Sequence, residues 1–248
     1  MWTEDDLVVD VSGGYWIDSS LKGFTAAYGD GRVGAILPSD YAAYARIIHP
    51  AYRRSDLPGR RNCVVRWMTV ATANGRTMHP LAEWDFLIAT VPDQKSQPGV
   101  WDRPPKIGQL DAHDTAAISS TLRLHTEQPE HCWYAIWEGN TALDHLRGVG
   151  GRLTVTGREY FVVGDGVDAL GTHLDGVSPS LCWPDDRAWC VSSNVDLMAT
   201  YVGGTEECVD VLVDHPGLEA FRVHAMDKIT WDSDTINRRP RGDRRIGE

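Results

Sequence analysis

The spacing of apolar positions predicts a chain that mixes strands with helices. Residues 132–137 are apolar on both alternating faces, a pattern that is typical of a central strand covered on both sides. Residues 153–155 and 160–163 form two shorter apolar runs that are joined at Gly157, which predicts a hairpin. Further strands are predicted at 189–195 and 221–223, and residues 197–202 either extend the first of these or form the next strand.

Helical spacing appears in separate segments between these strands. Asp111 and Thr205 each stand just before an apolar-periodic segment, where a short oxygen-bearing side chain caps the first free N–H groups of a helix. Glu206 and Glu207 follow Thr205, where the helix dipole favours negative charge. The pattern therefore predicts helices at about 64–74, 111–125 and 205–214, with a short helix at 81–88 and a helical turn at 168–174.

The first part of the chain carries turn signals that predict two hairpins. One joins 7–11 to 15–17 through Ser12-Gly13-Gly14, and the other joins 24–28 to 33–37 through an Asp-Gly turn. The second turn also reads GDGRVG, but Pro38 closes a short apolar strand where a dinucleotide site needs a helix. Residues 41–48 fit either a strand or a helix.

Together these elements predict an α+β fold. We expect a mainly antiparallel, twisted sheet with helices packed on one face. Residues 1–226 are expected to form one domain, with the Pro- and Gly-rich segment 91–108 as the boundary if the domain divides. From Asp227 to Glu248 the composition predicts a polar, basic, disordered tail.

Charge narrows the classes of partner. The chain of 248 residues has a formal net charge of −11, and its last eleven residues carry five arginines against Asp243 and Glu248. An acidic body repels phosphate, so we expect no nucleic-acid partner. It suits a basic protein partner, although acidity also serves solubility alone.

Cysteine usage and hydropathy bear on location. The five cysteines form no CxxC pair, which favours reduced, buried thiols and a cytoplasmic protein. The acidic start of the chain does not resemble a signal peptide, and no apolar run is long enough to cross a membrane. We therefore expect no membrane association.

No short motif of a known chemistry occurs, since HExxH, Walker A, G-x-S-x-G and paired-cysteine zinc patterns are all missing. We therefore expect no metal and no cofactor, and the leading hypothesis is a non-enzymatic protein. One alternative is a hydrolase, either with or without a metal ion, in which Asp185 and Asp186 act with histidines. The candidate partners for those two carboxylates are Asp196, His49, His79, His125 and His173.

The densest group of distinctive residues lies between Ser180 and Gly204. If Trp183 and Tyr201 are exposed beside Asp185 and Asp186, they form an aromatic and acidic patch suited to an Arg- or Lys-rich partner. Arg187 belongs to the same turn. The competing interpretation places both rings in the core and uses the aspartates to stabilise the turn.

Five blocks carry a resemblance: 47–51 (IIHPA), 65–71 (VRWMTVA), 125–139 (HTEQPEHCWYAIWEG), 158–163 (REYFVV) and 182–204 (CWPDDRAWCVSSNVDLMATYVGG). In this order they resemble a group of actinobacterial proteins of unknown function, from which no catalytic residue carries over. The layout is also similar to that of SUKH-type immunity proteins, which are acidic α+β proteins that bind toxins. That likeness implies toxin binding but rests on composition and layout.

Three hypotheses about function follow. The first is a non-enzymatic, acidic protein-binding module of an immunity-like or inhibitory kind, using Trp183, Asp185, Asp186, Arg187 and Tyr201. The second is the hydrolase that uses Asp185 and Asp186. The third is a small-ligand binder with a tryptophan-lined pocket, which the ten tryptophans of the chain allow.

Overall fold

An eight-stranded antiparallel sheet forms the centre of the molecule, in a computed structural model that describes residues 1–21, 31–55, 62–88 and 95–238. Its strand order is β10-β1-β9-β8-β7-β4-β6-β5, and β2 pairs with β3 in a separate small hairpin. The strands are β1 (Ala43–Ile48), β2 (Ala51–Arg53), β3 (Cys63–Val65), β4 (Cys132–Trp137), β5 (Leu153–Val155), β6 (Arg158–Asp165), β7 (Leu181–Pro184), β8 (Cys190–Ser192), β9 (Ala199–Gly204) and β10 (Ala220–Val223). The helices are α1 (Tyr15–Ser20), α2 (Trp67–Ala73), α3 (Trp84–Leu87), α4 (Ala112–Arg123) and α5 (Glu206–Val213).

Residues 43–48, which the sequence pattern assigned to either a strand or a helix, form strand β1. All six of its residues are buried, and it pairs with β9 on one side and β10 on the other. Tyr44 and Ile48 belong to the core on one face of the sheet, whereas Ala43, Ala45 and Ile47 belong to the core on the other. A strand buried on both faces does not alternate apolar and polar positions, and its one charged residue, Arg46, is also buried.

The α+β class and the antiparallel sheet are confirmed. Helices α4 and α5 cover one face, where Ile118 and Leu122 of α4 and Val209 and Leu212 of α5 join a core shared with β1. The opposite face is also covered, by the shorter helices α1 to α3 and by loops. The prediction of helices on one face therefore describes the two strongly periodic helices and misses the second layer.

Both predicted N-caps are confirmed. The Asp111 carboxylate accepts the N–H of His113, and the Thr205 hydroxyl accepts the N–H of Cys208. These two caps need only local sequence, because the oxygen and the N–H that it accepts lie two or three residues apart.

The predicted hairpin at the start of the chain is wrong. Residues 12–14 form a 3₁₀ turn that leads into α1, and its two glycines serve close packing rather than a tight turn. A Cβ on Gly14 would lie 2.6 Å from the Leu153 side chain, and one on Gly13 would lie 2.9 Å from Trp133. Of the second hairpin, 24–28 lies outside the described residues, and 33–35 forms a 3₁₀ helix in place of a strand.

The predicted tail begins too early. Ile229, Ser233 and Asp234 are buried, and residues 228–237 bond to other parts of the chain, while 239–248 lies outside the described residues.

The loop 91–108, which is the predicted boundary if the domain divides, does not separate two cores among the described residues. Trp101 within it is fully buried and stacks edge-on against Trp84, with ring centres 5.1 Å apart. The core that contains these two rings also contains Trp183 and Tyr201 from the later part of the chain.

No helix among the described residues is long and apolar enough to cross a membrane.

Candidate functional site

A cavity of about 530 Å³ lies among the described residues on the face of the sheet opposite α4 and α5. This volume lies within the range of about 300–1,000 Å³ that small-molecule sites occupy. Its floor and walls are mainly apolar, and two tryptophans line it. The described residues around it are Leu21, Gly31, Ala35, Ile36, Trp137, Val155, Thr156, Arg158, Tyr160, Ser180, Leu181, Ser192, Asn194, Val195, Asp196, Leu197, Ile229, Thr230 and Trp231.

The sheet itself supplies the floor. Trp137 of β4 pairs directly with Tyr160 of β6, and Leu181 of β7 pairs with Ser192 of β8. Directly opposed residues of an antiparallel pair project to the same face, so these four positions form one continuous surface. The floor is therefore held by the backbone hydrogen bonds of four adjacent strands.

Arg158 lies at one side of this floor. Its guanidinium carbon is 5.4 Å from the centre of the Trp137 ring, within the distance of a cation–π contact. Burial raises the pKa of the Tyr160 phenol, and the nearby Arg158 opposes that rise. The cavity thus combines an aromatic surface with a fixed positive charge.

One wall comes from the C-terminal segment, residues 229–231. Hydrogen bonds hold this segment at its first residue and just beyond its last. The N–H of Ile229 donates to the Gly31 carbonyl at 2.8 Å. Beyond Trp231, the Ser233 hydroxyl donates to Glu83 at 3.0 Å, and Asp234 pairs with His79 at 2.9 Å. Because the segment is held at both ends, Trp231 stays at the mouth of the cavity with 46% of its surface exposed.

A second wall is the loop between β8 and β9, residues 194–197. Its fixed point is Gly108, whose N–H donates to the Leu197 carbonyl at 2.8 Å. The backbone of Gly108 is left-handed, with a φ of +64°, and a Cβ there would lie 2.5 Å from the backbone of Val195. Only glycine fits this position, so the loop and the residues near 108 pack backbone against backbone.

The predicted aromatic pair does not lie at this cavity or at the surface. Trp183 and Tyr201 are both almost completely buried, on the same core face of the sheet. The Trp183 indole N–H donates to the Gly13 carbonyl at 3.2 Å. Burial raises the pKa of Tyr201 to about 12, while the neighbouring Arg46 acts in the opposite direction. The exposed patch that would contain these two rings is therefore not formed.

The turn that follows Trp183 is at the surface, with Asp185, Asp186 and Arg187 exposed. Asp186 accepts hydrogen bonds from the Thr126 hydroxyl and from the Glu127 and Ala188 N–H groups, at 2.8, 2.7 and 3.1 Å. These bonds tie the turn to the end of α4 and to the start of β8. The Asp186 carboxylate therefore stabilises the turn, as the interpretation that places both rings in the core predicts.

Other aromatic rings surround this turn. The Trp133 indole N–H donates to Asp185, and the Arg187 guanidinium carbon lies 5.0 Å from the centre of the Trp16 ring. Both tryptophans are partly exposed. A protein-binding patch at this turn would use these two rings in place of Trp183 and Tyr201.

The titratable groups of the hydrolase hypothesis are dispersed. His49 is buried beside Thr200, and His79 is paired with Asp234. Among the described residues, no three His, Cys, Asp or Glu side chains group closely enough to hold a metal ion. Burial raises the pKa of the Cys132 and Cys208 thiols to about 12 and also raises the pKa of Cys182 and Cys190.

Of the described residues that line the cavity, sequence reasoning names only Asp196 as a candidate, and for hydrolysis. Trp231 falls in the predicted tail, Trp137 in a predicted strand and Arg158 between two predicted strands, and none of the three is predicted as a site residue. The one local signal was the apolar pair Ile229 and Trp231 within a polar segment. The walls come from positions near 21, 35, 195 and 230, so no single stretch of sequence contains the site.

No protein-family model, no curated protein and no solved structure matches the chain.

Proposed function

We propose that this protein binds a small, largely apolar molecule in the cavity. The observation that carries the proposal is a space of about 530 Å³ over a rigid sheet, lined by Trp137, Tyr160, Leu181 and Trp231. Aromatic side chains bury large apolar areas in defined geometries, which suits recognition of a flat ligand. Ser192 and Thr230 add hydroxyl groups that can orient such a ligand.

This proposal develops the third hypothesis from the sequence. The protein-binding hypothesis loses its two anchoring rings, since Trp183 and Tyr201 are buried. The hydrolase hypothesis depends on Asp186, whose carboxylate already accepts three hydrogen bonds. Both remain predictions, whereas the cavity supports binding with residues that need not move.

Filling the cavity is expected to abolish binding. N-phenyl-1-naphthylamine, a neutral aromatic dye whose emission rises in apolar surroundings, is the probe. Leu197→Trp places an indole in the space, so the dissociation constant should rise by at least about tenfold, or ~1.4 kcal/mol of binding free energy. Fluorescence titration of the dye measures it.

Leu124→Trp is the matched control. Leu124 is 82% exposed just beyond α4, on the other side of the sheet, so the same substitution there should leave dye affinity unchanged. Thermal melts of both variants establish that they are folded. Absence of saturable dye binding to the original protein, or equal affinity in all three proteins, would contradict the proposal.

A further inference from the structure

We infer that the molecule held in this cavity carries one oxyacid group, a carboxylate or a phosphate, which binds Arg158. The inference rests on the proposed function and adds the chemical class of the ligand: a flat apolar body with a single negative end. It comes from the distribution of charge around the cavity and from the way in which Arg158 is held.

The charged residues of the cavity lining differ in their exposure to solvent. Among the described residues that line it, Arg158 carries the positive charge and Asp196 the negative one. Asp196 is exposed on the loop between β8 and β9, whereas Arg158 is half-buried. Water and salt screen the exposed carboxylate more strongly than the half-buried guanidinium. Of these two lining charges, the positive one is therefore the less screened, and Arg158 keeps it while its side chain also bonds to Tyr160.

Arg158 is also positioned before any ligand arrives. Its backbone pairs with Val155 across the two-residue turn Thr156-Gly157, and both turn residues have positive φ, +52° and +75°. Such turns match the twist of an antiparallel hairpin and hold its ends in register. The N–H of Thr156 also donates to Asp18 at 2.7 Å, which ties the turn to α1.

The Trp137 ring beneath the guanidinium adds a second constraint. A planar guanidinium that lies near an aromatic face presents its N–H groups at its edge. That edge matches the two oxygens of a carboxylate or phosphate, which accept paired hydrogen bonds from it. The same ring offers apolar contact to the body of the ligand, so one molecule can use both.

Two dyes of the same shape test the inference. 8-Anilinonaphthalene-1-sulfonate differs from N-phenyl-1-naphthylamine only by its sulfonate group, so the ratio of their affinities isolates the contribution of the negative charge. Arg158→Met should lower the affinity of the sulfonate relative to the neutral dye by about ten- to hundredfold, the usual value of a charged hydrogen-bonded contact. Arg147→Met, at an exposed arginine outside the cavity, should leave the ratio unchanged.

Displacement of the neutral dye distinguishes a carboxylate from a phosphate as the acidic group of the ligand. 1-Naphthoate and 1-naphthyl phosphate should each displace it at lower concentration than neutral 1-naphthamide, and the more effective of the two identifies the oxyacid. Arg158→Lys, which keeps the charge and loses the planar edge, should retain part of the preference and serves if Arg158→Met does not fold.

The outcomes are separable. An affinity ratio that is unchanged in both Arg158 variants, or displacement by the amide as readily as by the acids, would overturn the inference and leave the proposed function standing. If the neutral dye does not bind the original protein, the proposed function fails and the inference falls with it.

Discussion

Replacing Arg46 by methionine is expected to lower the free energy of unfolding by about 3–5 kcal/mol, the usual cost of removing one partner of a buried ion pair. The Arg46 side chain is 4% exposed and pairs with Glu83 at 2.9 Å. It also donates to the carbonyls of Pro80 and Ala82, at 2.9 Å each. Without the guanidinium, the Glu83 carboxylate and the carbonyls of Pro80 and Ala82 lose a hydrogen-bond donor in the interior of the protein.

The effect should extend to the cavity wall. Glu83 accepts the Ser233 hydroxyl, and Ser233 lies two residues after Trp231. If Glu83 is no longer held by Arg46, its hydrogen bond from the Ser233 hydroxyl weakens, and this bond is one of the contacts that hold the C-terminal segment in place. Urea denaturation measures the free energy of unfolding. Dye titration at low urea concentration measures the affinity of the cavity, which falls if the wall formed by residues 229–231 is displaced.

The matched control is Arg147→Met, which breaks the exposed pair with Asp144. Exposed pairs contribute less than about 1 kcal/mol, so this variant should be almost neutral. The double variant Arg46→Met, Glu83→Leu should recover part of the loss because it leaves no uncompensated charge. Equal stability of the two single variants would show that the buried pair does not stabilise the fold.

Acidification is expected to destabilise the protein through His49. Its ring is completely buried, bonded to the Lys106 carbonyl and the Thr200 hydroxyl at 2.8 Å each. Burial lowers the pKa of His49 to about 4, opposed by the bond to Lys106 and by Asp111 and reinforced by the charges of Arg46 and Lys106. The folded protein therefore holds this imidazole neutral at a pH where an unfolded chain, with a pKa of about 6.5, would protonate it.

The sign follows from the depressed pKa. The contribution of His49 is fully present above about pH 6.5 and is lost as pH falls towards 4, because only the unfolded state takes up the proton. Between about pH 7 and pH 5 this amounts to about 2 kcal/mol, and to about 3 kcal/mol by pH 4.

His49→Gln removes the titration while keeping a polar side chain at the site. Both proteins share every other titrating group, so the difference between their stability curves isolates the histidine. We expect the original protein to lose about 2 kcal/mol relative to the variant over that pH range, measured by chemical denaturation. Parallel curves would contradict the assignment of a neutral, buried His49.

The sequence allowed prediction of those elements whose determinants are local. The caps at Asp111 and Thr205 depend on atoms two or three residues away, and strand β4 is apolar on both faces. The turn that contains Asp185, Asp186 and Arg187 is also predicted from sequence, because aspartate favours turns. In each case the neighbouring residues alone determine the structure.

Elements that depend on distant contacts were mispredicted. Gly13 and Gly14 appeared to be turn residues, but they are small because Trp133 and Leu153 lie against them. Burial of Trp183 and Tyr201 and exposure of Trp231 depend on which layer covers which face of the sheet. Tryptophan at a strand position is compatible with either outcome, so composition could not separate them.

The candidate site was predicted only as a possibility, a tryptophan-lined pocket without named residues. Its floor needs β4 to pair with both β6 and β7, which brings Trp137, Tyr160 and Leu181 together from strands that are not consecutive in the chain. Its outer wall needs the C-terminal segment, which is held by Asp234 and His79. None of these pairings has a signature in one stretch of sequence.

The most direct test of the account is a crystal structure of the protein grown with N-phenyl-1-naphthylamine. The account predicts density for the dye in the cavity, in contact with Trp137 and Trp231, while the strands of the floor keep their positions. Dye bound elsewhere with this cavity empty, or a cavity closed by its own side chains, would contradict the claim that the protein binds a small molecule there.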